Sequence, residues 1–358
     1  MLGGAISLLS VPFFYKNEVE VLNARYPEEV AKKLRRAIHY TIIDPNVQDA
    51  LKYYKMALVE ANKAGMQEWS DEVTGIKIQV SSMFESMGRL DKAVEALELV
   101  FADAAAFVAN QDALLESPSP DGPPGAAEAP NRQARSRVLK RMIGMSTKLA
   151  ELYADDRLGA RQTAEEKLVW GATTTLKERV RRERMTPEQE SLEGEWMTEM
   201  EIAASLESLA MHYMSTRQNY LAAPLLLQAI GFITPGKRDC HTCTLMNNLA
   251  SALLKQNPPP GYSHLPPTSS PEAAVSARAW VAKAIQTASV MTPQMGRTEE
   301  CDVAAATATV NLGEIALVEG NKAEARKWFE EGKALSRAIG WTEGIKEAED
   351  ALKGLGKT

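Results

Sequence analysis

A recurring spacing limits what this chain of 358 residues can fold into. In MGRLDKAVEAL at 87–97 and GNKAEARKWF at 320–329, a glycine is followed by a small residue five positions on and a large one nine positions on. Before each glycine stands a large–small pair, Val80-Ser81 or Leu312-Gly313, then Phe84 or Ala316. After it, Ala93, Leu97 and Val100 match Ala325, Phe329 and Gly332. Small residues let one helix approach another, large ones fill the remaining space, and glycine permits the tight turn between them. Such a unit is a helix pair, and its repetition predicts an array in which each pair buries its face on its neighbours.

The same frame recurs. Leu209-Ala210 and Tyr213 precede Ala222, Leu226 and Ala229, while Leu249-Ala250 and Leu253 find their partner in Ala277, Val281 and Ala284 beyond a proline-rich stretch. Leu149-Ala150 and Tyr153 pair with Ala164, Leu168 and Gly171 if the turn is longer by about two residues. Ala50, Tyr54 and Ala57 mark a second helix, preceded by a degenerate first helix around Ala31–Ile43. Proline removes a backbone donor and clashes with the preceding turn, so SPSPDGPPGAAEAP (117–130) and NPPPGYSHLPPTSSP (257–271) are expected as loops, within 116–134 and 257–271. The segments between them read as helices of about 12–18 residues. Trp341–Leu355 reads as a capping helix with a polar outer side.

These positions resemble the tetratricopeptide repeat over most of Lys32–Ile339. Spacing between units exceeds the usual 34 residues or so, and the repeat's tryptophan and terminal proline are mostly missing. The expectation is an all-α, irregular tetratricopeptide-type α-solenoid of about six helix pairs with a C-terminal cap, over residues 26–358. Composition agrees: aromatics are 6%, and no segment shows the sustained alternation of a half-buried strand.

A formal charge of −6 argues against a nucleic-acid partner, which requires a clustered positive field. The basic stretch KERVRRER (177–184) is interrupted by acids and reads as a solvated helical face. In residues 1–25, the apolar run Leu2–Tyr15 contains Pro12 and falls short of the roughly 20 residues that span a bilayer. It lacks a basic leader and a cleavage site, so it reads as the end of a membrane anchor or as a segment tucked against the first helices.

The repeat resemblance implies that the second, fifth, sixth, ninth, twelfth and thirteenth positions of each first helix face inward. The sixth positions are Arg36, Gln79, Lys148, Ser208, Asn248 and Asn311, all polar. Such a row could hydrogen-bond an extended peptide's backbone, or it could be ordinary half-exposed helix surface. Met211, Met214, Ile78 and Leu254 flank it, suited either to capture of apolar side chains or to core packing. Against the carboxylate clamp of chaperone adaptors, Arg35, His39, Gln79, Gly144 and Lys148 match only in part. A co-chaperone adaptor is therefore an alternative.

Cys240-His241-Thr242-Cys243 opens one first helix and Cys301 lies near the start of the next, so the three thiols could converge. Zinc would need a fourth ligand from His241 or an acid such as Glu299. A disulfide and, as the leading expectation, free thiols are the other readings, and three cysteines make no disulfide framework. No metal-binding histidine pair, phosphate loop or nucleophile elbow is present, so neither enzyme activity nor a cofactor is expected. Protein and peptide partners are expected instead, through an adaptor or, alternatively, a structural subunit of a fixed assembly.

A narrower resemblance rests on LGGAISLLSVPFFY, ALKYYKMALVEANKAGM and DCHTCTLMNNLASALL. These stretches and the layout are similar to the fungal mitochondrial inner-membrane tetratricopeptide proteins that act as substrate adaptors of the intermembrane-space AAA protease. That resemblance implies one N-terminal anchor, a helical domain in the intermembrane space, and partners comprising the protease complex and unfolded substrates. Without it, a cytoplasmic location is expected.

Overall fold

The computed structural model describes residues 24–116, 131–233, 238–256 and 271–356. Residues 1–23 of the anchor candidate at 1–25, and residues 117–130 and 257–270 of the two proline-rich stretches, lie outside these residues. Among the described residues there are fourteen α-helices and no strand. They divide into two units, one through Trp196 and one from Met197.

The first unit contains α1 (Glu28–Ile38), α2 (Val47–Lys63), α3 (Asp71–Ser86), α4 (Leu90–Glu116), α5 (Arg132–Ala154), α6 (Arg161–Glu183) and the short α7 (Pro187–Glu193). A π-helical turn, His39–Ile43, extends α1. The second unit contains α8 (Glu199–Ser215), α9 (Asn219–Phe232), α10 (Cys240–Leu254), α11 (Pro271–Val290), α12 (Glu299–Val318), α13 (Lys322–Ala338) and α14 (Thr342–Leu355). Polar caps set many helix starts: Asn46, Ser70, Asn131, Thr198, Asp239 and Asn321 each accept from backbone amides that have no partner within the helix.

Six antiparallel pairs result, α1/α2, α3/α4, α5/α6, α8/α9, α10/α11 and α12/α13, with α14 packed on α13 as the cap. This is the tetratricopeptide-type helical array read from the spacing. The small–large–small triplets of the second helices form the core. Ala50, Tyr54 and Ala57, Ala93 and Leu97, Ala222 and Leu226, Ala277 and Val281, and Ala325 and Phe329 are all buried. The close approach is literal at two glycines. A Cβ on Gly313 would meet Phe329 Cε1 at 2.5 Å, and one on Gly332 would meet Val310 Cγ2 at 2.7 Å. The α12 helix is the one described helix apolar and long enough to cross a membrane, but just over half of it is buried among its neighbours.

The structure departs from expectation in the middle of the chain. Helices α4, α5 and α6 run for 27, 23 and 23 residues rather than 12–18. Helix therefore continues through Glu116 and resumes at Arg132, inside the interval expected to be loop. The extra turns are supported by packing, since Val100, Ala104 and Val108 join Val138, Leu139, Met142 and Met145 in one cluster. The basic stretch of α6 is solvated on one side only, with Lys177, Glu183 and Arg184 exposed. Glu178 and Arg182 are buried, and the Glu178 carboxylate accepts from Arg135, Arg181 and Arg182. Burial works against the charged Glu178, but these guanidinium groups outweigh it and hold its pKa below the usual range. Fully buried Glu193 accepts from Arg132 and Arg181, which ties the α7 segment back to α5 and α6. On the other side the alternating signs are matched pairs around buried Glu178 and Arg182.

Candidate functional site

In the second unit, α8, α10 and α12 are the first helices of consecutive pairs, with a polar cluster at one end and an apolar hollow at the other. At the polar end His241 lies between two carboxylates. Its Nε2 is 2.8 Å from Glu207 Oε2 on α8 and its Nδ1 is 2.7 Å from Glu300 Oε1 on α12. The hydrogen bond to Glu207, aided by Glu300 and opposed by burial, raises the imidazole to about 9, so the ring is cationic at neutral pH and both nitrogens donate. Thr244 donates to Glu300 and Asn248 Nδ2 donates to Glu207 Oε1 at 3.1 Å. One charge centre thus joins three helices.

Beside it, Cys240 and Cys301 form a disulfide with Cα atoms 4.6 Å apart, joining the starts of α10 and α12. The leading expectation of free thiols fails for these two residues. Cys243 remains a buried thiol that burial, with Asp239 and Glu300 nearby, pushes up to about 11. No group of three or more His, Cys, Asp or Glu side chains able to hold a metal ion occurs among the described residues, and His241 is spent on its carboxylates.

At the other end of these helices is an open hollow of about 620 Å³. Met214, Leu254, Leu317 and Val318 supply its apolar lining, and Arg217, Ser251, Lys255 and Glu314 its polar lining. Lys255 Nζ bonds Glu314 at 2.9 Å, and Asn219 donates to the Lys255 carbonyl at 2.7 Å, which closes the end of α10. Arg217 occupies the turn position that is glycine in the related pairs. Its φ is +60°, against +72° at Gly88 and +79° at Gly320. A side chain there works against steric preference.

The expected sixth-position row is not uniform. Asn248 is half-buried with its nitrogen on Glu207, whereas Asn311 is buried and donates to the Asn247 carbonyl. The Ser208 hydroxyl bonds the Ala204 carbonyl of its own helix. Met211 is 42% exposed and Met214 lines the hollow, so neither is purely core, while Leu254 is buried in its wall. In the first unit, Gln79 is exposed, Ile78 packs partly against the core, and Arg36 bonds the Tyr53 hydroxyl at 3.0 Å. Lys148 reaches both Glu85 and Glu151; burial disfavours its charge, but these two carboxylates outweigh that and raise its pKa. Sequence reasoning missed Glu207 and Glu300. Glu207 was legible as a fifth-position residue beside Ser208, but its partners lie 34 and 41 residues away.

No family model matches the chain. It is similar to a TPR repeat-containing protein of Schizosaccharomyces pombe, 26% identical over all of this chain and 86% of that protein. Over 64 residues it is 39% identical to "Protein MRG3-like" of Saccharomyces cerevisiae, 17% of this chain and 14% of that protein. Among solved structures it is similar to BtubC (BKLC) from P. vanneervenii at 13% identity, with 91% of this chain and 92% of that chain covered and a TM-score of 0.46.

Proposed function

We propose that the chain is a protein-binding adaptor whose second unit holds an extended segment of a partner protein along α8, α10 and α12. The hollow carries this reading. Met214 of α8 and Leu317 and Val318 of α12 stand open on either side of buried Leu254 of α10, and the helix backbones are already hydrogen-bonded, leaving side-chain capture as the available interaction. Flexible Met211 and Met214 suit varied apolar partners. The cationic His241 and the disulfide hold the opposite ends of these helices in place, so the surface is ordered before a partner arrives.

A reduced, alkylated unfolded protein and fluorescent peptides tiled from it provide the test. Binding should weaken about tenfold or more in Met214→Ser with Leu317→Ser, at unchanged melting temperature. Equal affinity for wild type and variant would remove the hollow from the reading.

The narrower role is delivery of unfolded substrates to the AAA protease of the mitochondrial inner membrane. Its support is the resemblance of the three sequence stretches above, together with a disulfide that suits a compartment more oxidising than the cytosol. Affinity purification of the full-length protein from fungal membranes tests it. Recovery of an inner-membrane AAA protease is expected, and its absence under conditions that retain other partners would discard this role.

A further inference from the structure

The first helix pair carries a surface that the peptide reading does not need. The π-helical turn after α1 ends in Ile42 and Ile43, which are 58% and 44% exposed. Short π-helical turns are uncommon and cluster at functional positions. Beside them Tyr40 stacks on Tyr53 at 5.6 Å, the Arg36 guanidinium lies 5.4 Å from the Tyr53 ring centre, and Lys52 Nζ lies 5.8 Å from it. Two exposed isoleucines are thus bordered by tyrosines and cations.

Charge selects the occupant. Over the helix pair, from Glu28 to Lys63, the chain has seven Lys and Arg against five Asp and Glu, a local balance of +2 in a protein of net −6. Apolar side chains in front, amphipathic tyrosines beside them and cations around them match the layers of an anionic bilayer surface. Chain position agrees: twelve residues, 16–27, lie between the apolar run Leu2–Tyr15 and Glu28, which opens α1. Twelve residues reach roughly 40 Å at most when extended. If that run enters a bilayer, the turn lies within reach of the same surface, and even weak contact is reinforced by the tether.

We infer that the α1–α2 turn docks on an anionic lipid surface through Ile42 and Ile43, with Arg36 and Lys52 facing the headgroups. The test uses the full chain with vesicles of phosphatidylcholine alone or with about a third anionic phospholipid. Hydrogen exchange separates this contact from any binding by residues 1–23. Amides 39–44 should slow on anionic vesicles, return toward the free rate in high salt, and show little change on neutral vesicles. Ile42→Ser with Ile43→Ser should abolish that protection and reduce the anionic-dependent part of co-sedimentation about tenfold, at unchanged melting temperature. Unchanged exchange at 39–44 on anionic vesicles would overturn the inference. So would a double variant that weakens peptide capture but leaves vesicle protection intact, because the turn would then belong to a peptide surface.

Discussion

A methyl group on Gly313 would sit 2.5 Å from the edge of the Phe329 ring, so the approach of α12 to α13 depends on the absence of a side chain at that one position. Phe329 is fully buried. Gly313→Ala should therefore cost about 1–3 kcal/mol through overpacking, despite alanine's better helix propensity. Urea unfolding measures it; a stabilised variant would show that the ring can yield.

The disulfide joins Cys240 and Cys301 across a sequence separation of 61. Under denaturing, non-reducing conditions one thiol, that of Cys243, should react with a thiol reagent, rising to three after reduction. Cys301→Ser should lower stability by about 2–4 kcal/mol in oxidising buffer and make it insensitive to reductant. Three reactive thiols before reduction would refute the pairing.

His241 makes a pH-dependent contribution with a definite sign. Its folded pKa of about 9 lies above the ordinary 6.5, so its stabilisation is complete below 6.5 and fades as pH rises through 9. The nearby Cys243 thiol, at about 11, stays protonated across that window. Between pH 6 and 9.5 wild type should lose on the order of 1–2 kcal/mol more than His241→Gln, allowing for partial exposure of the ring and Glu300. Chemical denaturation at the two pH values decides it, and parallel losses would mean that the histidine is not bound by both carboxylates.

Asn248 and Asn311 occupy equivalent positions but should respond oppositely. Asn311→Ala removes a buried donor from the Asn247 carbonyl and should cost about 1 kcal/mol of stability. Asn248→Ala at the half-buried position should leave melting nearly unchanged while weakening binding of an extended peptide. Equal thermal shifts in the two variants would contradict this division.

Arg217 is held at φ +60°, where glycine is strain-free. Arg217→Gly should raise stability by about 1 kcal/mol while removing a cation from the hollow. A thermal melt and a peptide titration on the same variant show whether the strain accompanies binding.

The helix pairs were legible because their evidence is local. Ala325 and Phe329, or Ala93 and Leu97, sit four residues apart, and one helical turn places both on the buried face whatever the rest of the chain does. The long α4–α6 helices were harder to read, because their extra turns are stabilised by contacts such as that of Gln111 with the Asn131 amide across a proline-rich stretch. Glu178 looked like a surface acid because its partners Arg181 and Arg182 on the same helix are compatible with a solvated face, and only Arg135, 43 residues away on α5, shows that it is buried.

The repeated spacing that defines this chain was therefore enough to determine helix pairs, their number and their buried faces, because periodic burial is written in neighbouring residues. Tertiary structure alone decided that Cys240 pairs with Cys301 rather than Cys243, that His241 is charged, and that Asn311 points inward while Asn248 remains half-exposed. Each of those outcomes depends on distances between side chains tens of residues apart, and such distances exist only once the helices have packed.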